Sequence, residues 1–188
     1  MTENSSTALW FALQVRTRWE NSIASFLSGK GYEVFLPTYI VNRPSTRGIR
    51  ENHTPLFPGY VFCRFNVEKR LPILVTPGVI AVVGRGRIPI AIEEEEINSV
   101  RRVVSSGFPA EPFPYFEAGQ RVRITEGSLT GLEGMLLNFK GQHRIVVSVT
   151  LLRRSVAIEI DRSSAVPMCA SHDARPSNSV ALLEEALA

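Results

Sequence analysis

The sequence predicts an α+β domain followed by a small all-β barrel. Three observations carry that reading. Residues 8–107 mix strand-like alternation with helical periodicity, residues 116–167 carry only short strand-like runs, and three prolines break the chain between them in "FPAEPFPY". The boundaries read from this are 8–107 for the first domain, an antiparallel sheet with packed helices. A stiff extended linker over 108–115 and the barrel over 116–167 follow, and then a mostly disordered tail over 168–188 that ends in a frayed helical turn.

The elements follow in order. "ALWFALQVR" alternates, with Trp10, Ala12 and Gln14 opposite Phe11, Leu13 and Val15, and predicts a strand. Thr17 stands three residues before Glu20, the spacing of a capping box. Behind it Trp19, Ile23, Phe26 and Leu27 fall on one helical face, and Gly29 and Gly31 end the helix. "YEVFLPTYIVNR" is β-rich, and "RPSTRGIRENHT", basic through Arg43, Arg47 and Arg50, reads as a loop. "GYVFCRF" is the next strand, "EKRLPILVTPGV" holds a short helix, and "VIAVVG" and "IPIAI" are short strands. In "EEEEINSVRRVVSSG" acids crowd the first turn and Arg101 and Arg102 the later half, as the helix macrodipole favours. Ile97, Val100 and Val104 share its face and Gly107 follows its end. In the second domain "QRVRITE", "GMLLNF", "RIVVSVTLL" and "SVAIEID" are strand runs separated by glycine-bearing turns. Closing so small a sheet into a barrel would hide its edges. Gly131 and Gly134 are expected to adopt backbone conformations closed to other residues.

Composition narrows the function classes. The 188 residues are 44% hydrophobic and 21% charged, which is ordinary for a globular chain, and no apolar run approaches the ~20 residues of a membrane span. The first ten residues lack the basic and apolar regions of a secretory signal, so the expected location is the cytoplasm. Cys63 and Cys169 give neither a disulfide framework nor a zinc spacing. Residues 1–107 hold 13 Lys and Arg against 9 Asp and Glu, so nucleic acid is a candidate partner of the first domain. His53, His143 and His172 have no metal-site spacing, and no nucleophile-elbow, P-loop or dinucleotide motif occurs. No catalytic residue, metal or cofactor is expected. "GRGR" at 84–87 precedes a strand and makes a poor phosphate cradle, and the four glutamates at 93–96 read as an acidic helix start.

The segment "PLFPGYVFCRF" poses a question that residue chemistry leaves open. Tyr60, Phe62 and Arg64 point one way along the strand, and Val61, Cys63 and Phe65 the other. Either the strand is central and buried on both faces, or Phe57, Tyr60 and Phe62 line an open groove for a partner's helix, with Pro58 and Gly59 fixing the turn.

Over nearly its whole folded length the chain resembles the NusG family of transcription elongation factors. "WFALQVRTRWE", "VFLPTY", "PLFPGYVF" and "TPGVIAVVG" stand in the order of the family's N-terminal (NGN) domain. "FEAGQRVRITEGSLTGLEGMLLNF" and "VVSVTLLRRSVAIEID" resemble its SH3-like KOW barrel. "EVFLPTY", "PLFPGYVF" and "LLRRSVAIEID" lean toward the specialised UpxY-like and RfaH-like antiterminators.

The resemblance implies an NGN domain that docks an apolar patch on the β′ clamp helices of RNA polymerase and promotes processive elongation. Carried over, Trp10, Phe57, Pro58, Tyr60 and Phe62 form the patch, exposed until the partner covers them. Arg16 and Arg18 face the non-template DNA strand of the transcription bubble. Leu151, Leu152, Arg153 and Arg154 occupy the place where the housekeeping factor binds the ribosomal protein NusE or the termination factor Rho. That factor has an aromatic and a glycine where this chain has a leucine and an arginine, which weakens the expectation of those two partners. The β-branched run "RIVVSVTLL" favours a permanent barrel over an alternative helical state. The remaining alternatives are a general factor coupling polymerase to ribosome or Rho, and a KOW-type RNA- or ribosome-binding protein.

Overall fold

A computed structural model describes residues 8–45, 48–115, 119–139 and 142–168. Four antiparallel strands form the first sheet, in the order β2 (Glu33–Phe35), β5 (Tyr60–Phe65), β1 (Leu9–Val15), β6 (Val79–Val82). β1 pairs with β5 so that Phe11 faces Cys63 and Ala12 faces Phe62. Alternation therefore sorts the sheet's side chains into two apolar layers. Phe11, Leu13, Val61, Cys63 and Phe65 pack with Ile23 and Leu27 of α1 (Glu20–Gly29) and with Ile73 of α2 (Leu71–Leu74). Trp10, Ala12 and Phe62 face the other way, toward Ile97, Val100 and Val103 of α3 (Glu94–Ser105). The central strand is thus buried on both sides.

Three local features differ from expectation. The Thr17–Glu20 capping box does not form: the helix starts after Trp19 without a side-chain cap, and the Glu20 carboxylate turns inward to the Gly59 N–H at 2.9 Å. Of the helical face expected to be apolar, Ile23 and Leu27 are buried, whereas Trp19 and Phe26 are exposed. The segment read as a basic loop is half of a hairpin, β3 (Thr38–Ser45) paired with β4 (Gly48–Pro55) from Thr38↔Pro55 to Ser45↔Gly48. It lies outside the main sheet, and the Arg43 and Arg47 side chains lie outside the described residues. A second small hairpin, β7 (Gly84–Arg85) with β8 (Ile88–Pro89), holds "GRGR".

The C-terminal sheet has six antiparallel strands, in the order β14 (Ala165–Pro167), β10 (Gln120–Ile124), β11 (Glu133–Phe139), β12 (Gln142–Val149), β13 (Arg154–Glu159), β9 (Ala110–Pro114). β9 comes from the segment read as a linker. Ala110–Pro114 pairs with Ile158–Arg154, at the edge of the sheet, where proline is tolerated because an outward position needs no ladder donor. From Gln120 onward the described residues contain no α-helix, only strands, turns and short 3-10 segments. Gly131 has φ +80°, as expected, but Gly134 does not need a left-handed backbone. Its reason is close approach: a Cβ there would lie 2.7 Å from Ile145 Cγ1 and 2.7 Å from the Val146 carbonyl oxygen. The Met168 N–H donates to the Arg121 carbonyl, and the remaining tail, 169–188, lies outside the described residues.

The two sheets are joined through α3. The helix contacts both β1 of the first sheet and β12 of the second. A single apolar cluster continues from Trp10, Phe57 and Phe62 through Ile97, Val100 and Val103 to Val149, Leu152 and the interior of the second sheet.

Candidate functional site

The turn between β4 and β5 is built from its sequence. The Tyr60 N–H donates to the Phe57 carbonyl at 3.1 Å, with Pro58 and Gly59 between them and Gly59 at φ +83°. That is a type II turn, in which proline presets the first central residue and glycine supplies the positive φ of the second. Two long-range bonds hold it. The Val15 N–H donates to the Gly59 carbonyl at 2.8 Å, and the Gly59 N–H donates to the buried Glu20 carboxylate.

The rings around the turn do not line an open groove. Trp10, Phe57 and Phe62 are 2%, 1% and 0% exposed, which corrects the expectation that they stand free. Phe57 meets Phe62 edge-on at 5.4 Å, and Phe62 stacks on Phe35 at 6.1 Å. The Arg101 guanidinium of α3 lies 4.8 Å from the Trp10 ring and 5.3 Å from the Phe35 ring. The cause is the sheet's alternation: Trp10 and Phe62 project onto the face that α3 covers. Of the five residues, Pro58 is exposed and Tyr60 half-buried.

Tyr60 is where the two halves of the chain meet. The Arg154 guanidinium lies 5.7 Å from its ring. Nearby, the Thr150 N–H donates to the Glu96 carboxylate of α3 at 3.4 Å, and Leu151 and Leu152 pack on the shared apolar cluster. Arg153 takes a left-handed backbone, φ +48°, and lies 5.5 Å from the Tyr115 ring. Leu151, Leu152, Arg153 and Arg154 are therefore gathered at the same junction as the turn.

Arg16 and Arg18 are both exposed, just beyond the end of β1. They adjoin the turn, since the Val15 N–H donates to the Gly59 carbonyl and a Cβ on Gly59 would lie 3.9 Å from the Thr17 hydroxyl. Arg18 has φ +73°, and the Arg16 guanidinium lies 6.0 Å from the ring of exposed Trp19. Sequence reasoning assigns no site role to Glu20, Glu96 or Arg101, because their side chains bond to partners 39, 54 and 68 residues away. No group of three or more metal-binding side chains occurs among the described residues. No helix among them is long and apolar enough to cross a membrane.

Residues 8–101, which include the Pro58–Gly59 turn, the first two turns of α3 and Arg16 and Arg18, match the family model for the transcription termination factor NusG. This chain belongs to the NusG family. The Pseudomonas aeruginosa transcription termination/antitermination protein NusG is 30% identical over 137 residues, covering 70% of this chain and 77% of that protein. Its Helicobacter pylori namesake is 23% identical over 164 residues, covering 80% and 93%. A solved structure described as "Domain interaction in Thermotoga maritima NusG" shares the fold, with a TM-score of 0.50 at 19% identity, covering 84% of this chain and 96% of that one. The chain is a transcription termination/antitermination factor of the NusG type.

Proposed function

We propose that this NusG-family factor binds RNA polymerase on the β′ clamp helices through the Phe57–Tyr60 turn and favours processive elongation. The observation that carries the reading is the construction of that turn. A rigid type II bend presents exposed Pro58 and half-buried Tyr60, backed by Phe57, Phe62 and Trp10. Polymerase would touch Pro58 and Tyr60, with Phe57, Trp10 and Phe62 supporting them from within. Arg154 and Leu151 already occupy this ground, so the second sheet must move off Tyr60 before a partner helix can reach it. Its release would also free Leu151–Arg154 for NusE or Rho. Arg16 and Arg18, next to the turn, would then face the non-template DNA strand.

The motifs "EVFLPTY" and "LLRRSVAIEID" support an antiterminator dedicated to a long operon, such as a polysaccharide cluster. The relatives are named for termination as well as antitermination; a second reading compatible with that is a general factor that couples polymerase to Rho or the ribosome. A titration of purified RNA polymerase tests the shared core of both. Tyr60→Ala and Phe57→Ala should weaken binding by about tenfold or more, as expected for truncating an aromatic hot spot. Unchanged affinity for both would remove the turn as the contact. Pull-down of Rho and NusE by the full chain bound to RNA polymerase, where the junction is released, separates the general factor from the dedicated one.

A further inference from the structure

Trp19 is the aromatic that the fold leaves unexplained. Helical periodicity assigns it to the core, yet it is 44% exposed at the start of α1. Its position is fixed from below. The ring edge lies against Gly78, where a Cβ would come within 3.0 Å of Trp19 Cε3 and 2.9 Å of Ile23 Cδ1. Gly78 is in turn tied down by the Arg16 N–H, which donates to its carbonyl at 2.9 Å. Arg16 lies 6.0 Å from the ring centroid and Arg18 is exposed one residue before it. The carboxylate nearest in sequence, Glu20, is 4% exposed and committed to Gly59, so it does not offset the two cations at the surface.

We infer that Trp19 is a base-stacking platform for single-stranded DNA, with Arg16 and Arg18 as its phosphate-binding partners; this rests on the proposed contact of Arg16 and Arg18 with the non-template strand. An exposed aromatic ring held against backbone and flanked by guanidinium groups is the arrangement that binds single strands without base-pair readout. The ring takes an unpaired base, the cations take the backbone, and a duplex has no free base face to offer. Any base can stack, so the site contributes affinity and holds the displaced strand without dictating its sequence.

The chain provides its own reporter, because its only two tryptophans are Trp19 and Trp10, and Trp10 is buried. The full chain and its variants are titrated into a fluorescein-labelled short oligothymidylate, whose anisotropy reads affinity, and tryptophan emission is followed in a parallel titration with the unlabelled strand. Saturable, salt-sensitive quenching is expected, with no comparable quenching by a duplex of the same length. Trp19→Ala should weaken binding by about tenfold and leave a residual emission that DNA does not quench. Trp19→Phe, which keeps a stacking ring, should bind within about threefold of the parent chain. Phe26→Ala, which removes another exposed ring of the same helix, should change nothing. If Trp19→Ala binds like the parent while Arg16→Ala lowers the salt slope by about one unit, the DNA contact stands and the platform is refuted. If the parent chain shows neither quenching nor salt-dependent binding, the contact of Arg16 and Arg18 with DNA falls too. Equal quenching by duplex also overturns the platform.

Discussion

Loosening the junction at Tyr60 should strengthen polymerase binding. The perturbation is Arg154→Ala combined with Glu96→Ala, neither of which touches the rings of the turn's buried core. Arg154 lies 5.7 Å from the Tyr60 ring, a cation–π contact worth about 0.5–1 kcal/mol at an exposed site. Glu96 accepts the Thr150 N–H at 3.4 Å, a long charge-assisted bond worth about 1 kcal/mol. Together the closed arrangement loses about 1.5–2 kcal/mol, which raises the open population by roughly 10–30-fold where closure dominates. Apparent affinity for polymerase should tighten by the same factor, since only the open form exposes Tyr60. Fluorescence anisotropy of the labelled chain against core polymerase reads this directly. Affinity that stays the same or weakens would refute the reasoning, because it would mean that the second sheet does not compete with polymerase for the turn.

Two further outcomes follow from the core. Burial, with Glu33 adding to it, pushes the Cys63 thiol up from 9.0 to about 12. In the unfolded chain the thiol ionises near pH 9 while the folded one holds its proton, so this group lowers stability as pH rises from about 9 toward 12, by about 1.4 kcal/mol per unit. Urea midpoints of the parent chain should therefore fall faster between about pH 9 and 10 than those of Cys63→Ala, and parallel curves would contradict the burial. Gly134→Ala places a methyl 2.7 Å from Ile145 Cγ1 and the Val146 carbonyl, so it should cost about 1–3 kcal/mol in thermal or urea unfolding. A neutral substitution would show that β11 and β12 are not in the register that joins Met135 to Val146.

Much of the fold is legible in the residues. The alternation of "GYVFCRF" specifies a strand with two apolar faces, and the acids and late arginines of "EEEEINSVRRVVSSG" specify α3. What alternation leaves undecided is which partner covers each face. Trp10 and Phe62 meet the protein's own helix, and only the packing of α3 reveals it. The β3–β4 hairpin escapes because "RPSTRGIRENHT" lacks apolar alternation: a ribbon outside the main sheet has little core to face, so its pairing is written in backbone hydrogen bonds. β9 escapes because Pro112 and Pro114 read as a linker, whereas an edge strand accommodates them. The capping box at Thr17 and Glu20 is overridden by a bond to Gly59, which no local pattern can anticipate. The same limit applies to the site. Tyr60 and Arg154 are both visible as candidates, yet their meeting is a property of the tertiary structure.

A photo-reactive amino acid placed at position 58, the exposed corner of the turn, tests the central claim most directly. Illumination of the full chain bound to RNA polymerase should give a crosslink that maps to the β′ clamp helices and is lost when Tyr60→Ala is added. A crosslink confined to another subunit, or none under conditions where the chain is bound, would contradict the account.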